Sequence, residues 1–420
     1  MLRLQTQRAS RILIAATAVS LAVACAAQHP ADVTAPRAAA GGAATDAPRA
    51  PSGGALRLSE ARFSELPGWA SADHAAALAA FLATCRRFEG LSDDAPVGPA
   101  YAGAAGPWKA ACDTAARLPP GDARAFFEAE FTPVSLATGE GEVTGLATAY
   151  YEPEIVARRT PAWPYLEPLV MRPPNLEVVP SPAYDTYARG VREEVFLRQP
   201  SGALTLAPPR GAIRRDAQPD EVIGYGTVAD VVFLQIQGSG RLLFPDGTRV
   251  RAAYAATNGR PYGSIARHLA EAGVMPLEQA SNARIKAWLD DAGAADADRI
   301  VNVNERYVFF QAEPLGPDPD GPRGAAGVPL TAHASIAVDP DWHAYGALLW
   351  IAPEGDGAPT ARLAVAQDTG GAITGPLRAD LFFGSGEAAG EVAARVRHPA
   401  RWWAIVPNAA AAAVVVGAAP

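Results

Sequence analysis

The sequence predicts a mainly β protein that also contains α-helices, with the helices concentrated towards its N-terminal end. Three observations carry this prediction. Within 70–117, stretches such as Ala75–Leu82 place apolar residues at helical spacing, i, i+3 and i+4. From about 143 the pattern changes to short β-type runs separated by glycine and proline. A second β-rich block spans 328–406.

Composition excludes two broad classes of protein. The chain has 420 residues, a formal charge of −8 and 49% hydrophobic residues, a size that accommodates roughly two or three domains. A net acidic chain argues against general nucleic-acid binding. No uninterrupted apolar run reaches the roughly 18 residues that a membrane-spanning helix needs, so a multi-span membrane protein is excluded. Lys109 and Lys286 are the only lysines.

The N-terminus reads as a targeting segment. Three arginines precede an apolar run, Ile12–Ala24, that ends at Cys25, and this pattern is typical of a secretory signal. We therefore predict a signal peptide over 1–25 and expect lipidation at Cys25, because Leu21–Cys25 resembles a bacterial lipobox. The alternative is an ordinary cleaved signal with a chance cysteine. Residues 26–55 are rich in alanine, proline and glycine and predict a flexible linker.

Two further cysteines, Cys85 and Cys112, lie in the helical region. In an oxidising compartment such a pair could form a disulfide, and the alternative is two buried free thiols. Neither has the histidine and cysteine spacing of a zinc site. We predict neither a bound metal nor a cofactor.

Along the rest of the chain, periodicity and turn residues define further elements. The predicted elements are a helix over Ala123–Phe131, a strand over Val231–Gln237, a hairpin joining Leu242–Phe244 to Thr248–Val250, helix over 261–290, a strand over Asn304–Gln311, a crossing between domains over 312–327, strands near Ser335–Val338, Leu348–Ala352 and Leu363–Gln367, and a disordered tail over 408–420.

Several catalytic classes lack their motifs. The six histidines form neither an H-x-x-H nor an HExxH pair, and a GxSxG elbow and a phosphate-binding loop are absent from the sequence. The sequence therefore does not support a serine triad or metal-assisted hydrolysis. Acid–base catalysis by carboxyl groups is the class that remains.

Two aspartates at strand edges are the candidates for this chemistry. Asp368 follows the apolar run Leu363–Ala366, and Asp380 precedes Leu381–Phe383. A carboxyl group among apolar neighbours has a raised pKa and can stay protonated as a general acid. Asp380 fits that role better than Asp368, and the alternative is that it caps a turn. Asp368-Thr369-Gly370 also imitates an aspartic-protease signature, which normally occurs as a pair.

Taken together, several ordered stretches resemble the membrane-bound lytic transglycosylase A family. The resemblance covers about 60–407. The stretches that carry it are Tyr150–Ile155, Phe233–Gly240, Tyr254–Tyr262, Asn304–Phe310, Val328–Leu330, Ser335–Pro340, Asp368–Gly384 and Arg401–Trp403. Asp339, Asp368 and Asp380 look like the three aspartates that give the C-terminal 3D domain of the family its name.

The resemblance implies a specific architecture. Family members pair a double-psi β-barrel with an inserted smaller β-barrel domain, and a glycan strand lies in the groove between them. Accordingly, we expect a catalytic domain from 56–148 and 313–407, including the N-terminal helices, and an inserted domain over 149–312.

The resemblance also implies a reaction and its residues. The enzyme would be a carbon–oxygen lyase that cleaves the β-1,4 bond between MurNAc and GlcNAc in peptidoglycan and leaves 1,6-anhydro-MurNAc ends. One carboxyl group suffices, since it can act as acid and then as base. Asp380 would fill that role, Asp368 would orient the catalytic group and Asp339 would support it. The expected substrate-binding residues are Gln237, Gly238, Ser239, Tyr262 and Tyr151; the alternative for 238–240 is a hairpin turn.

The implied partners are peptidoglycan glycan strands, and the membrane through a lipid at Cys25. The resemblance also suggests a murein-processing complex as a partner, although no motif in the sequence specifies one. The expected location is the periplasm, with anchoring to the outer membrane.

The sequence departs from the family pattern at Thr374, where lysine is usual, at His333-Ala334, where Gly-Arg is usual, and at Ala149, where glycine is usual. These departures motivate a second hypothesis, a non-catalytic peptidoglycan-binding scaffold. An aspartic peptidase built on Asp368 is the third.

Overall fold

The structure is a computed structural model that describes residues 56–98, 100–180, 193–316 and 320–411. The predicted mixture of strands and helices is present in these ranges. The helices are α1 (His74–Thr84), α2 (Arg86–Glu89), α3 (Ala105–Ala115), α4 (Ala123–Glu130), α5 (Arg210–Asp216), α6 (Val228–Gln237), α7 (Ile265–Glu271), α8 (Asn282–Asp291), α9 (Ala294–Val301) and α10 (Glu387–Ala393). The predicted signal peptide, Cys25 and the linker 26–55 lie outside the described residues.

The strands of the described ranges belong to four sheets. They are β1 (Arg57–Glu60), β2 (Phe131–Ala137), β3 (Thr144–Glu152), β4 (Glu154–Val156), β5 (Glu167–Val170), β6 (Leu176–Pro180), β7 (Glu193–Arg198), β8 (Leu204–Leu206), β9 (Val222–Gly226), β10 (Gly240–Leu243), β11 (Arg249–Thr257), β12 (Val308–Pro314), β13 (Ser335–Val338), β14 (Leu348–Pro353), β15 (Arg362–Asp368), β16 (Arg378–Ser385) and β17 (Arg397–Pro407).

The largest sheet contains eight strands in the order β1-β2-β17-β14-β15-β13-β16-β3, and β17 also pairs with β3. Two of its pairs, β13 with β15 and β16 with β3, are parallel, and the remaining pairs are antiparallel. Strands predicted near 335, 348 and 363 are confirmed as β13, β14 and β15. A strand that begins near 144 therefore pairs with strands more than 200 residues later.

Side chains alternate between the two faces of the sheet along each strand, and each face packs in a core of its own. On β14, Leu349 and Ile351 join a core with residues of β13, β16 and β17. Leu348 and Trp350 point the other way and pack with Phe81 and the other aromatic residues of α1, α3 and α4. The helices thus form a layer over one face of the sheet.

The N-terminal helical layer agrees with the prediction for 70–117. Asp73 caps α1 by accepting hydrogen bonds from the backbone nitrogens of Ala75 and Ala76, each at 3.1 Å. Cys85, at the end of α1, forms a disulfide with Cys112 of α3, and their Cα atoms are 5.7 Å apart. This bond ties the two helices together.

Between β3 and β13 the chain builds the other three sheets. They are β12-β11-β10-β4, the pair β5-β9, and β6-β7-β8. The hairpin predicted around 242–250 is confirmed, since Leu242 pairs with Val250 and the Phe244 nitrogen donates to the Thr248 carbonyl at 3.0 Å. Gly247, with φ at 81°, makes its turn.

The strand predicted over Val231–Gln237 is wrong, because this segment forms the last seven of the ten residues of α6. The Thr227 hydroxyl caps the helix by accepting from the Asp230 nitrogen at 3.1 Å. Val231 packs in the core beneath β4 and β10, whereas Val232 packs against α7, α8 and α9. A helix buried on two sides is apolar all round, and periodicity alone does not separate it from a buried strand.

Two boundaries also differ from expectation. The strand predicted over Asn304–Gln311 begins at Val308 and runs into the predicted crossing, to Pro314, because Asn304 instead makes a turn in which its side chain accepts from the Arg306 nitrogen. The first residues of the predicted disordered tail are packed. Asn408 bonds to Thr132 and to the Ala129 carbonyl, each at 2.7 Å.

Candidate active site

Sheet register brings Asp368 and Asp380 together. Asp368 is the last residue of β15 and Asp380 is the third residue of β16. Both are the register partners of Ala337 on β13, the strand between them. Neighbouring strands lie about 4.8 Å apart, which places the two Cα atoms roughly 10 Å from each other.

The Asp380 carboxyl is half-buried and accepts a hydrogen bond from the Thr148 hydroxyl. Thr148 is its register partner on β3. Burial raises the pKa of Asp380, and the hydrogen bond from Thr148 and the charge of Arg378 oppose this effect. The charge of Asp368 raises that pKa further. Asp380 lies inside a strand, so it does not cap a turn.

The Asp368 carboxyl is held by two donors. The Tyr150 hydroxyl donates to it at 2.7 Å and the Ala325 backbone nitrogen at 3.0 Å. Burial raises the pKa of Asp368, and these hydrogen bonds oppose the rise. Asp368 is therefore fixed in place by a strand, β3, and by the 320–331 segment.

Tyr150 and Thr148 belong to the site although sequence reasoning did not select either. They are two residues apart on β3 and therefore share one face of the strand. Burial raises the pKa of Tyr150 well above its ordinary value, and the charges of Asp368 and Asp380 add to this. The phenol thus stays protonated and donates. Two signals were available in the sequence: the period-2 alternation through Thr148 and Tyr150, and the place of Tyr150 in a stretch that resembles the family.

The Asp339 side chain is buried and holds a loop through hydrogen bonds to its backbone. Its side chain is 1% exposed and accepts from the backbone nitrogens of Gly375 at 2.7 Å and Asp341 at 3.1 Å. Gly375 lies in the loop that connects Asp368 to Asp380. Asp339 consequently anchors the loop between the two candidate catalytic carboxylates.

The end of α6 reaches β3 beside these residues. Gln237, the last residue of α6, accepts a hydrogen bond from the Tyr151 backbone nitrogen at 3.2 Å. Gly238 ends the helix with φ at 92°, and a Cβ there would meet open space. The Ser239 hydroxyl accepts from the Tyr254 nitrogen at 3.0 Å. Residues 238–240 are thus a helix terminus leading into β10, not a hairpin turn.

The two predicted tyrosines lie differently. The Tyr151 ring packs on α10, where a Cβ on Gly390 would come within 2.7 Å of it, so it points away from the face that carries Tyr150. Tyr262 is 49% exposed in the loop after β11. Burial raises the pKa of Tyr262, and the charge of the Arg210 guanidinium opposes this rise.

A buried ion-pair cluster ends β3, and sequence reasoning missed it. Glu152 is 1% exposed and accepts from Arg241 at 2.7 Å, from Arg251 at 2.6 Å and from the Ser385 hydroxyl at 2.7 Å. Arg241 and Arg251 belong to β10 and β11, whereas Ser385 ends β16. The cluster therefore joins the eight-stranded sheet to the β12-β11-β10-β4 sheet.

The three departures occupy different environments. Thr374 is exposed, and Ala149 pairs with Leu381. His333 has φ at 64°, and its Nδ1 accepts from Arg362 at 3.2 Å. Burial and the charge of Arg362 lower the pKa of His333. The guanidinium of Arg362, the first residue of β15, is thus a cation that lies beside His333.

Comparison with known proteins identifies two matching family models. Residues 146–311 match the MltA specific insert domain, and residues 334–406 match the 3D domain. Membrane-bound lytic murein transglycosylase A of Escherichia coli is 30% identical over 267 residues, which are 61% of this chain and 64% of that protein. The alignment thus spans slightly less than two thirds of that relative.

Solved structures share the fold. A membrane-bound lytic murein transglycosylase from Agrobacterium tumefaciens is 31% identical with a TM-score of 0.72, and the match covers 85% of this chain and 99% of that one. E. coli MltA with bound chitohexaose is 23% identical with a TM-score of 0.60, covering 84% and 94% of the two chains. The chain belongs to the membrane-bound lytic murein transglycosylase A family.

Proposed function

We propose that this chain is a lytic transglycosylase that cleaves the β-1,4 bond between MurNAc and GlcNAc in peptidoglycan and leaves 1,6-anhydro-MurNAc ends. The observation that carries the proposal is the Asp380 carboxyl. Burial raises its pKa, and the charge of Asp368, on the next strand but one, adds to this rise, so Asp380 keeps its proton to higher pH than an ordinary aspartate.

In the proposed reaction Asp380 donates its proton to the glycosidic oxygen as the bond to C1 of MurNAc breaks. The C6 hydroxyl of the same sugar then bonds to C1, and the Asp380 carboxylate takes the hydroxyl proton. No water is consumed, and Asp380 ends protonated as it began. A nucleophile within the substrate needs no second protein carboxylate, because its effective concentration is already high.

Asp368 has a supporting role in this proposal. With Tyr150 and Ala325 holding it at 2.7 and 3.0 Å, its carboxylate lies beside Asp380, where its negative charge favours the protonated acid. Asp339 anchors the loop between them. The oxocarbenium-like transition state of glycosidic cleavage develops positive charge, which a fixed carboxylate stabilises.

The glycan strand would lie against the end of α6 and the candidate carboxylates. Gln237, Gly238 and Ser239 would line one side, with Tyr262 further along and Tyr151 supporting the contact through its backbone. Open space at Gly238 allows a sugar to approach the backbone closely. Chitohexaose, a β-1,4-linked amino sugar oligomer, is bound by E. coli MltA, which supports the substrate class.

The finer architecture is also part of the proposal. Successive pairing of β17, β14, β15, β13, β16 and β3, with β3 returning to β17, supports a double-psi β-barrel formed from 56–148 and 313–407. Residues 149–312 would form the inserted smaller β-barrel domain. The strand pairings are compatible with both assignments.

The proposed location is the periplasm, with a lipid at Cys25 anchoring the chain to the outer membrane, where a murein-processing complex could recruit it. The relatives are named membrane-bound. In the described part of the chain, every helix is too short or too polar to span a bilayer. In this proposal the lipid at Cys25 supplies the membrane attachment.

An aspartic peptidase gains no support from the geometry. That chemistry requires two carboxyl groups that share a proton. In the described residues Asp368 bonds to Tyr150 and Ala325 whereas Asp380 bonds to Thr148, and no hydrogen bond joins the two carboxyl groups.

The direct test is to incubate the purified chain with murein sacculi and to identify the released fragments by mass spectrometry. We expect muropeptides that end in 1,6-anhydro-MurNAc, one water lighter than hydrolysed ends. Reducing ends would indicate a hydrolase, and peptide cleavage would indicate a peptidase. Binding to sacculi without any release would select the scaffold hypothesis.

A further inference from the structure

A second concave site is built partly from the segment that holds Asp368. It is a surface cavity of about 840 Å³. The cavity is lined by the end of α1, by α2 and by the 320–331 segment. Its lining includes three arginines, Arg86, Arg87 and Arg323, and one acidic residue, Asp320. The chain carries a net charge of −8, so this local excess of positive charge runs against its overall composition.

The three arginines differ in how they are held. Arg323 donates to the Gly327 carbonyl and so shapes the loop. Arg87 lies over the Tyr345 ring, 5.1 Å from its centroid, and its guanidinium nitrogens have no hydrogen-bond partner among the described residues. Arg86 is exposed and, within the described ranges, its side chain has neither an ion-pair nor a hydrogen-bond partner. Two of the three guanidinium groups are therefore free to bind an anion.

The cavity wall is continuous with the candidate active site. The Ala325 nitrogen donates to the Asp368 carboxylate at 3.0 Å, and the neighbouring Ala326 nitrogen donates to the Gln367 carbonyl at 2.9 Å. Ala326 itself lines the cavity. One chain segment thus contacts the Asp368 carboxylate and also lines the cavity.

The remaining lining is small and aliphatic. It consists of residues such as Leu82, Ala83, Val328 and Leu330. Arginine forks bind planar carboxylates in two-pronged fashion, and an aliphatic floor accommodates methyl groups. A short peptide that combines free carboxylates with alanine side chains matches both features.

We propose that this cavity binds the carboxylates of the peptide stem that MurNAc carries in peptidoglycan. The inference rests on the proposed function, because the stem is attached to the sugar whose C1 reacts. An extended stem of about five residues reaches roughly 17 Å, and the segment that holds Asp368 also lines the cavity. A concave site of this size suits a peptide better than a membrane surface.

The test compares two substrates and two variants. The substrates are glycan strands that retain their stems and the same strands stripped of stems by an amidase. The variants are Arg86→Gln/Arg87→Gln and, as a matched control, Arg117→Gln, an exposed arginine after α3 that lies outside the cavity. None of these residues belongs to the proposed catalytic or glycan-binding set.

We expect the double variant to lose about 3- to 10-fold in kcat/KM on stem-bearing strands, because charge-assisted hydrogen bonds are removed, and to match the parent on stripped strands. The control should equal the parent on both. An equal loss on both substrates, or no loss on either, would overturn the proposal.

Binding of the free stem peptide, followed by NMR titration, separates this proposal from the proposed function. If the parent releases no fragments from either substrate, the proposed function fails, while weaker peptide binding by the double variant still supports the cavity. Equal peptide binding by parent and double variant refutes it. So does a variant that loses only binding to vesicles of anionic lipid, because the arginines would then serve a membrane.

Discussion

Asp368 and Asp380 are carboxyl groups whose ionised form the fold disfavours. Burial is the largest cause of the raised pKa at both residues. A raised pKa means that the folded chain holds the proton to higher pH than the unfolded chain does, so stability decreases as pH rises through the folded-state pKa. The site therefore costs stability at neutral pH.

Asp380→Asn should reveal this cost. Asparagine resembles the protonated acid, so the variant and the parent should have similar free energies of unfolding below about pH 4, the usual range of an unfolded aspartate. The variant should become the more stable protein as pH rises towards 7. Urea unfolding across this range measures the difference.

Asp246→Asn is the matched control, with the opposite sign. Hydrogen bonds from Thr248 lower the pKa of Asp246, so that variant should be the less stable protein above about pH 4. A parent that is more stable than Asp380→Asn at pH 7 would show that burial does not disfavour the Asp380 carboxylate.

His343 is a second residue whose ionisation is coupled to folding. It is fully buried, and burial lowers its pKa from 6.5 to about 4. Its Nε2 lies 2.6 Å from the Pro376 carbonyl, which only accepts, so Nε2 carries the proton and Nδ1 accepts from the Tyr101 hydroxyl at 2.6 Å. Positive charge on the ring would break this arrangement.

We expect the contribution of His343 to the free energy of unfolding to fall by about 3 kcal/mol between pH 6.5 and 4, because the unfolded histidine binds a proton that the folded one does not. In His343→Gln this part of the pH dependence should disappear. NMR titration of the ring provides the independent check. A His343 that titrates near 6.5 in the folded chain contradicts the account.

At the scale of elements, the end of β3 joins two sheets through Glu152. Arg241 and Arg251 have 13% and 8% exposed side chains, and both pair with this one carboxylate. Removing one partner of a buried ion pair leaves uncompensated charge, which is more costly than the pair is stabilising.

Glu152→Gln should therefore lower the free energy of unfolding by about 3–5 kcal/mol. Glu154→Gln, two residues along, is the matched control. Glu154 pairs with Arg249 at 2.9 Å in a partly exposed bridge, and its loss should cost at most about 1 kcal/mol. Denaturant unfolding of both variants measures the contrast, and equal losses would show that the cluster does not hold the sheets together.

The helix α6 shows where local pattern is insufficient. A strand and a helix buried on both sides have the same continuous apolar sequence, and here the distinction came from the Thr227 cap and from Gly238. The strands β13, β14 and β15 were predictable because turns and glycines bound short apolar runs. Their order in the sheet was not, since it depends on long-range pairing.

In the molecule as a whole, the candidate site shows the same contrast between what local sequence predicts and what long-range pairing determines. Asp368 and Asp380 were identifiable from their apolar context. Their partners Thr148 and Tyr150 were not, because about 220 residues separate them along the chain and only sheet register makes them neighbours. The arginine-lined cavity likewise combines distant segments. Local sequence therefore predicts which residues are suited to acid–base chemistry, and the topology of the fold determines which of them lie close together.

In the proposed reaction one carboxyl group, Asp380, performs the cleavage. The most direct measurement is the release of 1,6-anhydro-muropeptides from sacculi by Asp380→Asn, quantified by mass spectrometry against the parent chain, with circular dichroism confirming an unchanged fold. We expect release to fall at least about 1,000-fold, because the amide can neither donate nor accept the transferred proton. Release at the parental rate by a folded variant would contradict it and place the acid elsewhere.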